Sequence, residues 1–238
     1  AQSGLLALND APAPNHYAQF SAEQDEYRLA DGQDTLEVRL NWSDPSGVKV
    51  TKVYTFQRGS FLVELNQRVE NNSASDWKGS QYRQFQRTPP KTGSSFFGSG
   101  VITYTGAVVS TPEQRYEKIS FDDIAKQPLN QSVTDGWVAM IQHYFLGAWV
   151  PNPGETDTFY TKAVGSNRYV VGMTGEALLV PLEGQGEHAH VVDAFAADAH
   201  VLGMEVEKLV LELGQGREGI HELQDEMGGI VIEAEALG

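Results

Sequence analysis

In "DTLEVRLNWSD" (34–44) an apolar side chain returns at every second position, Leu36, Val38, Leu40 and Trp42, with polar or charged residues between them. A period of two belongs to a strand with one buried face and gives a helix no continuous apolar stripe. The same alternation runs through "GVKVTKVYTFQRG" (47–59) and "FLVELNQRVEN" (61–71), with turn residues on either side. It continues in "VITYTGAVVS" (101–110), "DTFYTKAV" (157–164), "RYVVGMTG" (168–175) and "ALLVPL" (177–182). Many short strands separated by Gly, Asn, Asp and Pro predict an antiparallel sandwich, a mainly β fold. One segment breaks the pattern. In "STPEQRYEKISFDDIAKQ" (110–127), Ser110 or Thr111 is placed to cap, Pro112 suits a first helical position, and a short helix is expected over 111–126.

At 238 residues, 40% of them hydrophobic, the chain can bury one substantial core. No run of eighteen apolar residues occurs, so no helical membrane span is expected. The absence of cysteine excludes disulfides, thiol catalysis and thiolate metal sites. A formal charge of −15 opposes nucleic acid and anionic lipid across much of the surface. That charge is uneven: from Glu183 onward thirteen acidic residues face only Lys208 and Arg217, a net of −11, which leaves −4 for residues 1–182. A boundary is therefore expected near "VPLEGQGE" (180–187), dividing a β-rich body, 1–182, from an acidic tail, 183–238, whose pattern "AHVVDAFAADAHVLGMEVEKLVLEL" reads as helix.

The densest aromatic stretch is "DGWVAMIQHYFLGAWVP" (135–151), which holds Trp137, Tyr144, Phe145 and Trp149 around His143. Apolar residues on both phases of 137–141 suit a strand buried on both sides, and the spacing 137, 141, 144, 148 also fits a helix. Two uses follow: core, with each large side chain contributing roughly 1.5–3 kcal/mol on burial, or a ligand cleft lined by Trp137, His143, Tyr144 and Trp149.

Chemistry-bearing motifs are sparse. Gly214, Gly216 and Gly219 match a dinucleotide-loop spacing, yet only nineteen residues follow, too few for a βαβ unit, so they read as turn glycines. His188, His190, Asp193 and His200 could gather on a metal if they lay on a strand, but the helical pattern of the tail predicts a surface histidine cluster. No Gly-x-Ser-x-Gly elbow occurs, and the adjacent Asp122 and Asp123 read as helix-end charges. No catalytic residue, cofactor or metal site is expected.

The order of several segments resembles a known family over about residues 1–182: "AQSGL" at the start, "YTFQRG", "TGSS", "STP…YEK…FD", "GWVAMIQHYFLGAWVP" and then "FYTKAVG". It is similar to the large periplasmic domain of the YidC-type membrane protein insertases of Gram-negative bacteria. The resemblance implies a β-supersandwich shaped like galactose mutarotases, on the periplasmic face of the inner membrane and part of a membrane-embedded parent. It implies a non-catalytic role through contacts with Sec translocon accessories of the SecDF type, with no small-molecule substrate and no nucleic acid. In the family a strand-forming segment precedes the counterpart of "AQSGL", so an N-terminally truncated sandwich is expected, and the tail from 183 does not match. The alternative class is a sugar-binding or mutarotase-like sandwich using His143 and its aromatic neighbours. That chemistry needs an acid and a base facing each other across the sugar, and the body offers His143 and His16 without a matched carboxylate.

Overall fold

The computed structural model describes residues 1–90, 104–142, 145–195 and 231–233. Seventeen strands and one helix are formed there. They are β1 (Gln2–Ala7), β2 (Ser21–Ala22), β3 (Glu26–Arg28), β4 (Thr35–Ser43), β5 (Val48–Gln57), β6 (Leu62–Asn71), β7 (Trp77–Arg87), β8 (Gly106–Ser110) and β9 (Glu117–Ile119). After α1 (Phe121–Lys126) follow β10 (Asn130–Thr134), β11 (Trp137–Gln142), β12 (Phe145–Val150), β13 (Thr156–Val164), β14 (Arg168–Thr174), β15 (Leu178–Val180), β16 (Gly184–Phe195) and β17 (Val231–Glu233).

Two antiparallel sheets face each other. The first runs β1-β7-β14-β13-β10, with β15 also on β7; the second runs β2-β4-β5-β6-β16-β12-β11-β8-β9; β17 and β3 make a separate pair. The alternation read from the sequence sets the inner faces. Val38 and Leu40 of β4, Val48, Val50, Tyr54 and Phe56 of β5, and Leu65 and Val69 of β6 are all buried. Tight turns hold the register. Between β4 and β5 the Asp44 carboxylate accepts from the Ser46 amide at 2.8 Å, and Gly47, at φ 107, bonds back to the Asp44 carbonyl. Only glycine takes that φ without strain.

Three expectations need correction. The helix expected over 111–126 is formed only as α1, capped by Ser120 in a box with Asp123. Ser110 instead ends β8, where it pairs with Trp137, and Thr111 closes a turn to Gln114. The ladder thus claims the residue that would have capped. In the aromatic stretch both phases are buried because β11 is a central strand: Trp137 to Ile141 pair with β8 and Val138 to Gln142 with β12. The helical spacing there is incidental.

The third correction concerns the boundary at 182. Residues 184–195 are not helical; they form β16, in register with β6 from Asn71 to Leu62 and with β12 from Val150 to Leu146. Without β16, both β6 and β12 would present unpaired backbone edges, and satisfying them outweighs the helical pattern of "AHVVDAF". The sandwich therefore runs through at least Phe195. Of the rest of the expected helical tail only Val231–Glu233 is described, as strand β17 paired with β3; His200 and the glycines 214, 216 and 219 lie outside the described residues, as do the side chains of His188, His190 and Asp193.

Candidate functional site

The two tryptophans singled out in the sequence do not share one wall. Val138 of β11 is the register partner of Trp149 on β12, so Trp149 shares a face with Val138 and lies opposite Trp137. Trp149 packs between the sheets with Phe85, Val138 and Met140; Trp137 packs on the other side of its sheet with Val108, Ala139, Ile141, Leu146 and Ala148. Both indoles are at least nine-tenths buried. A single sugar ring could not stack on the two of them, and His143 and Tyr144 lie outside the described residues.

The inner faces carry a different constellation. Along β5 the buried phase reads Val48, Val50, Lys52, Tyr54, Phe56; along β6 it reads Leu65, Gln67, Val69; along β7 it reads Trp77, Gly79, Gln81, Arg83, Phe85. In each strand polar side chains interrupt the apolar row at the same level. Lys52 and Gln67 are register partners on one sheet, and Arg83 is the partner of Ser3 on the other. Lys52 crosses between the sheets, its Nζ donating to the Ser3 carbonyl at 3.0 Å and sitting 4.6 Å from the Phe20 ring centroid. Arg83 Nη2 donates to Asp157 Oδ1 of β13 at 2.6 Å. This layer separates an apolar cluster around Tyr54, Phe85 and Trp149 from a second around Leu5, Val50 and Trp77.

The electrostatics of the layer are severe. Lys52, Gln67, Gln81, Arg83 and Asp157 are each at most 2% exposed. Burial lowers the Lys52 ammonium from 10.5 to about 8. Burial also pulls the Arg83 guanidinium below its ordinary value, against the opposing attraction of Asp157. Among the described residues, both polar atoms of Gln67 and of Gln81, Nε and Nη1 of Arg83, and Oδ2 of Asp157 have no hydrogen-bond partner. Such groups are rare inside proteins and cost about 1–3 kcal/mol each when left bare. The sequence held a signal for two of these five residues, since Lys52 and Gln67 fall on the apolar phase of strands read correctly. Gln81 and Arg83 were missed because β7, "WKGSQYRQFQR", is too polar to announce a central strand.

Among the described residues, the outer face of the β1-β7 sheet carries the main exposed apolar group. Leu6 pairs with Ser80, Leu8 donates its amide to the Lys78 carbonyl, and Leu179 pairs with Lys78 from the other side. Leu182 adjoins through its amide bond to Asp76 Oδ1. These four leucines are 45–56% exposed. Apolar residues scattered singly mean little, but grouped ones mark contact surfaces.

Comparison with known proteins gives a consistent set of relatives. The family described as the YidC periplasmic domain matches residues 1–198. The "Membrane protein insertase YidC" of Methylococcus capsulatus is 46% identical over 76% of this chain and 33% of its own length. That of Alkalilimnicola ehrlichii is 42% identical over 79% of this chain, again 33% of that protein. The chain thus spans about a third of the length of these relatives. An α-galactosidase of Lactobacillus brevis superposes on 83% of this chain and 29% of its own with a TM-score of 0.51 at 8% identity, a likeness of fold alone. A galactose mutarotase related enzyme of Lactobacillus acidophilus aligns over 80% of this chain and 78% of its own, with 9% identity and a TM-score of 0.44.

Proposed function

Because the chain belongs to the family of YidC periplasmic domains, we propose that it serves as the non-catalytic, protein-contacting domain of a membrane protein insertase, on the periplasmic face of the bacterial inner membrane. Inserting a protein requires groups at membrane depth that lower the cost of moving polar atoms into hydrocarbon. Among the described residues no helix is long and apolar enough to cross a membrane, and the matched part of this chain accounts for 33% of the length of such a relative. The proposal assigns insertion to the remainder of such a protein and contact to this domain. It assigns no small-molecule substrate and no nucleic acid.

The observation that carries it is the leucine corner formed by Leu6, Leu8, Leu179 and Leu182. Apolar side chains held open on rigid strands suit a partner that buries them, and about 1,000 Å2 of interface is enough for a transient complex. The occupant proposed is a soluble domain of a Sec translocon accessory of the SecDF type. Photocrosslinkers placed at Leu6, Leu8 and Leu179 in a full-length insertase carrying this domain, in cells, should capture that accessory. Glu37 and Arg39, which point outward from β4 on the opposite sheet, should not. Leu6→Asp with Leu179→Asp should abolish capture at Leu8 while leaving stability nearly unchanged, since both sites are exposed. Capture only from the Glu37 face, or from neither, refutes the surface assignment.

A further inference from the structure

The buried polar layer does not enter the contact role, and its composition is lopsided. Lys52 and Arg83 supply two positive charges, and Asp157 is the one buried carboxylate among the described residues. Among the fully buried side chains one positive charge is therefore left over; the half-buried Glu155 acts on Arg83 as well, and among the described residues nothing comparable faces Lys52. Hydrogen-bonding capacity leans the same way. Among the described residues of this layer four nitrogen donors are unpartnered, Gln67 Nε2, Gln81 Nε2, Arg83 Nε and Arg83 Nη1, against three oxygens, Gln67 Oε1, Gln81 Oε1 and Asp157 Oδ2. Each unpartnered amide or guanidinium nitrogen other than Nε carries two protons, and the Lys52 ammonium has three, of which one goes to Ser3. Protons to donate thus exceed the sites that could accept them.

We propose that this layer is a binding site for a small anion of halide size, held between the sheets by Lys52, Gln67, Gln81 and Arg83. An acceptor-only ion answers both surpluses at once. Water would satisfy donors and acceptors alike but would leave the charge uncompensated, and an isolated buried cation costs several kcal/mol. The side chains come from opposing strands: Lys52 and Gln67 from neighbouring strands of one sheet, Gln81 and Arg83 two residues apart on the same face of β7 in the other. The ion would thus be enclosed rather than bound at the surface. Leu5, Val50 and Trp77 form the apolar cluster on one side of the layer, and Tyr54 and Phe85 belong to the cluster on the other. That surrounding strengthens an ionic contact relative to one in water.

The test uses the purified chain at fixed ionic strength, with chloride or bromide exchanged for gluconate, which is too large to enter. Thermal unfolding should shift upward by a few degrees as halide rises from about 1 mM to about 100 mM, and the shift should follow ligand linkage. Crystals grown in bromide should show an anomalous peak between Lys52 and Gln81. Gln81→Leu removes two of the polar atoms without removing a charge, and it should weaken the halide dependence several-fold with the β circular dichroism intact. Lys52→Met should abolish it. Equal stability in halide and gluconate with no interior bromide means that the layer holds water only, and the proposal falls. A halide effect that persists unchanged in both variants belongs to the surface and overturns it equally.

Discussion

Raising the pH from 8 to 10 in a halide-free buffer should stabilise this protein, and Lys52 is the reason. In the unfolded chain its ammonium keeps the proton to about 10.5; between the sheets burial lowers that value to about 8. Across this interval the unfolded state binds more protons than the folded one, so stability rises with pH. At about 1.4 kcal/mol per unit, the whole shift corresponds to roughly 3 kcal/mol, of which about 2–3 kcal/mol should appear by pH 10. Near pH 10 an opposing trend sets in, which offsets part of this gain and then reverses it. Burial raises Tyr54, Tyr82, Tyr104 and Tyr160 above their ordinary value of 10.0, so the unfolded state loses those protons first and stability falls as pH climbs further. Lys52→Met removes the buried charge but also the bond to the Ser3 carbonyl, about 1–3 kcal/mol, and the contact over Phe20, about 0.5–2 kcal/mol. Its stability at pH 7 should therefore lie close to that of the parent, and the diagnostic is the slope. Urea denaturation followed by tryptophan fluorescence at pH 8, 9 and 10 measures it directly. Parallel stability profiles for the two proteins over that interval would refute the argument.

Asp157→Ala should cost about 3–5 kcal/mol, because it leaves the Arg83 guanidinium buried without its partner; the double change Arg83→Met with Asp157→Leu should recover most of that loss in the same denaturation assay. Ser120→Ala removes the hydroxyl that caps α1 and should lower stability by about 0.5–2 kcal/mol, read as a lower unfolding midpoint. Trp137→Ala and Trp149→Ala should each cost about 3–5 kcal/mol, and because the indoles occupy separate clusters on opposite faces, their costs should add within about 0.5 kcal/mol.

The period of two made β4, β5 and β6 legible because their inner and outer phases differ in polarity, and the β-rich class followed from them. β7 carries polar residues on both phases, Gln81 and Arg83 on the inner one and Lys78, Ser80 and Gln84 on the other, so the same rule passed over an interior strand of its sheet. β16 was misread for another reason. Its alanines and histidines favour a helix locally, and only the two open edges beside it, formed by segments far away in sequence, make it a strand. Composition marked Trp137 and Trp149 as important, but which face each indole takes depends on the pairing of β11 with β12, and that is a property of register rather than of residue type.

The position of β16 also governs when the molecule can be completed. Its contacts bring together Arg68 and Gln185, 117 positions apart, and among the described residues it alone joins the β2-β4-β5-β6 half of the large sheet to the β12-β11-β8-β9 half. During synthesis the first half emerges early, yet its β6 edge stays open until the chain has been made through Phe195. Closure of so long a loop is slow, and an open strand edge is a template for pairing with the wrong chain. The interval between making β6 and making β16 is therefore the period in which this domain is most exposed to aggregation, and a stop anywhere before Gly184 would make that exposure permanent.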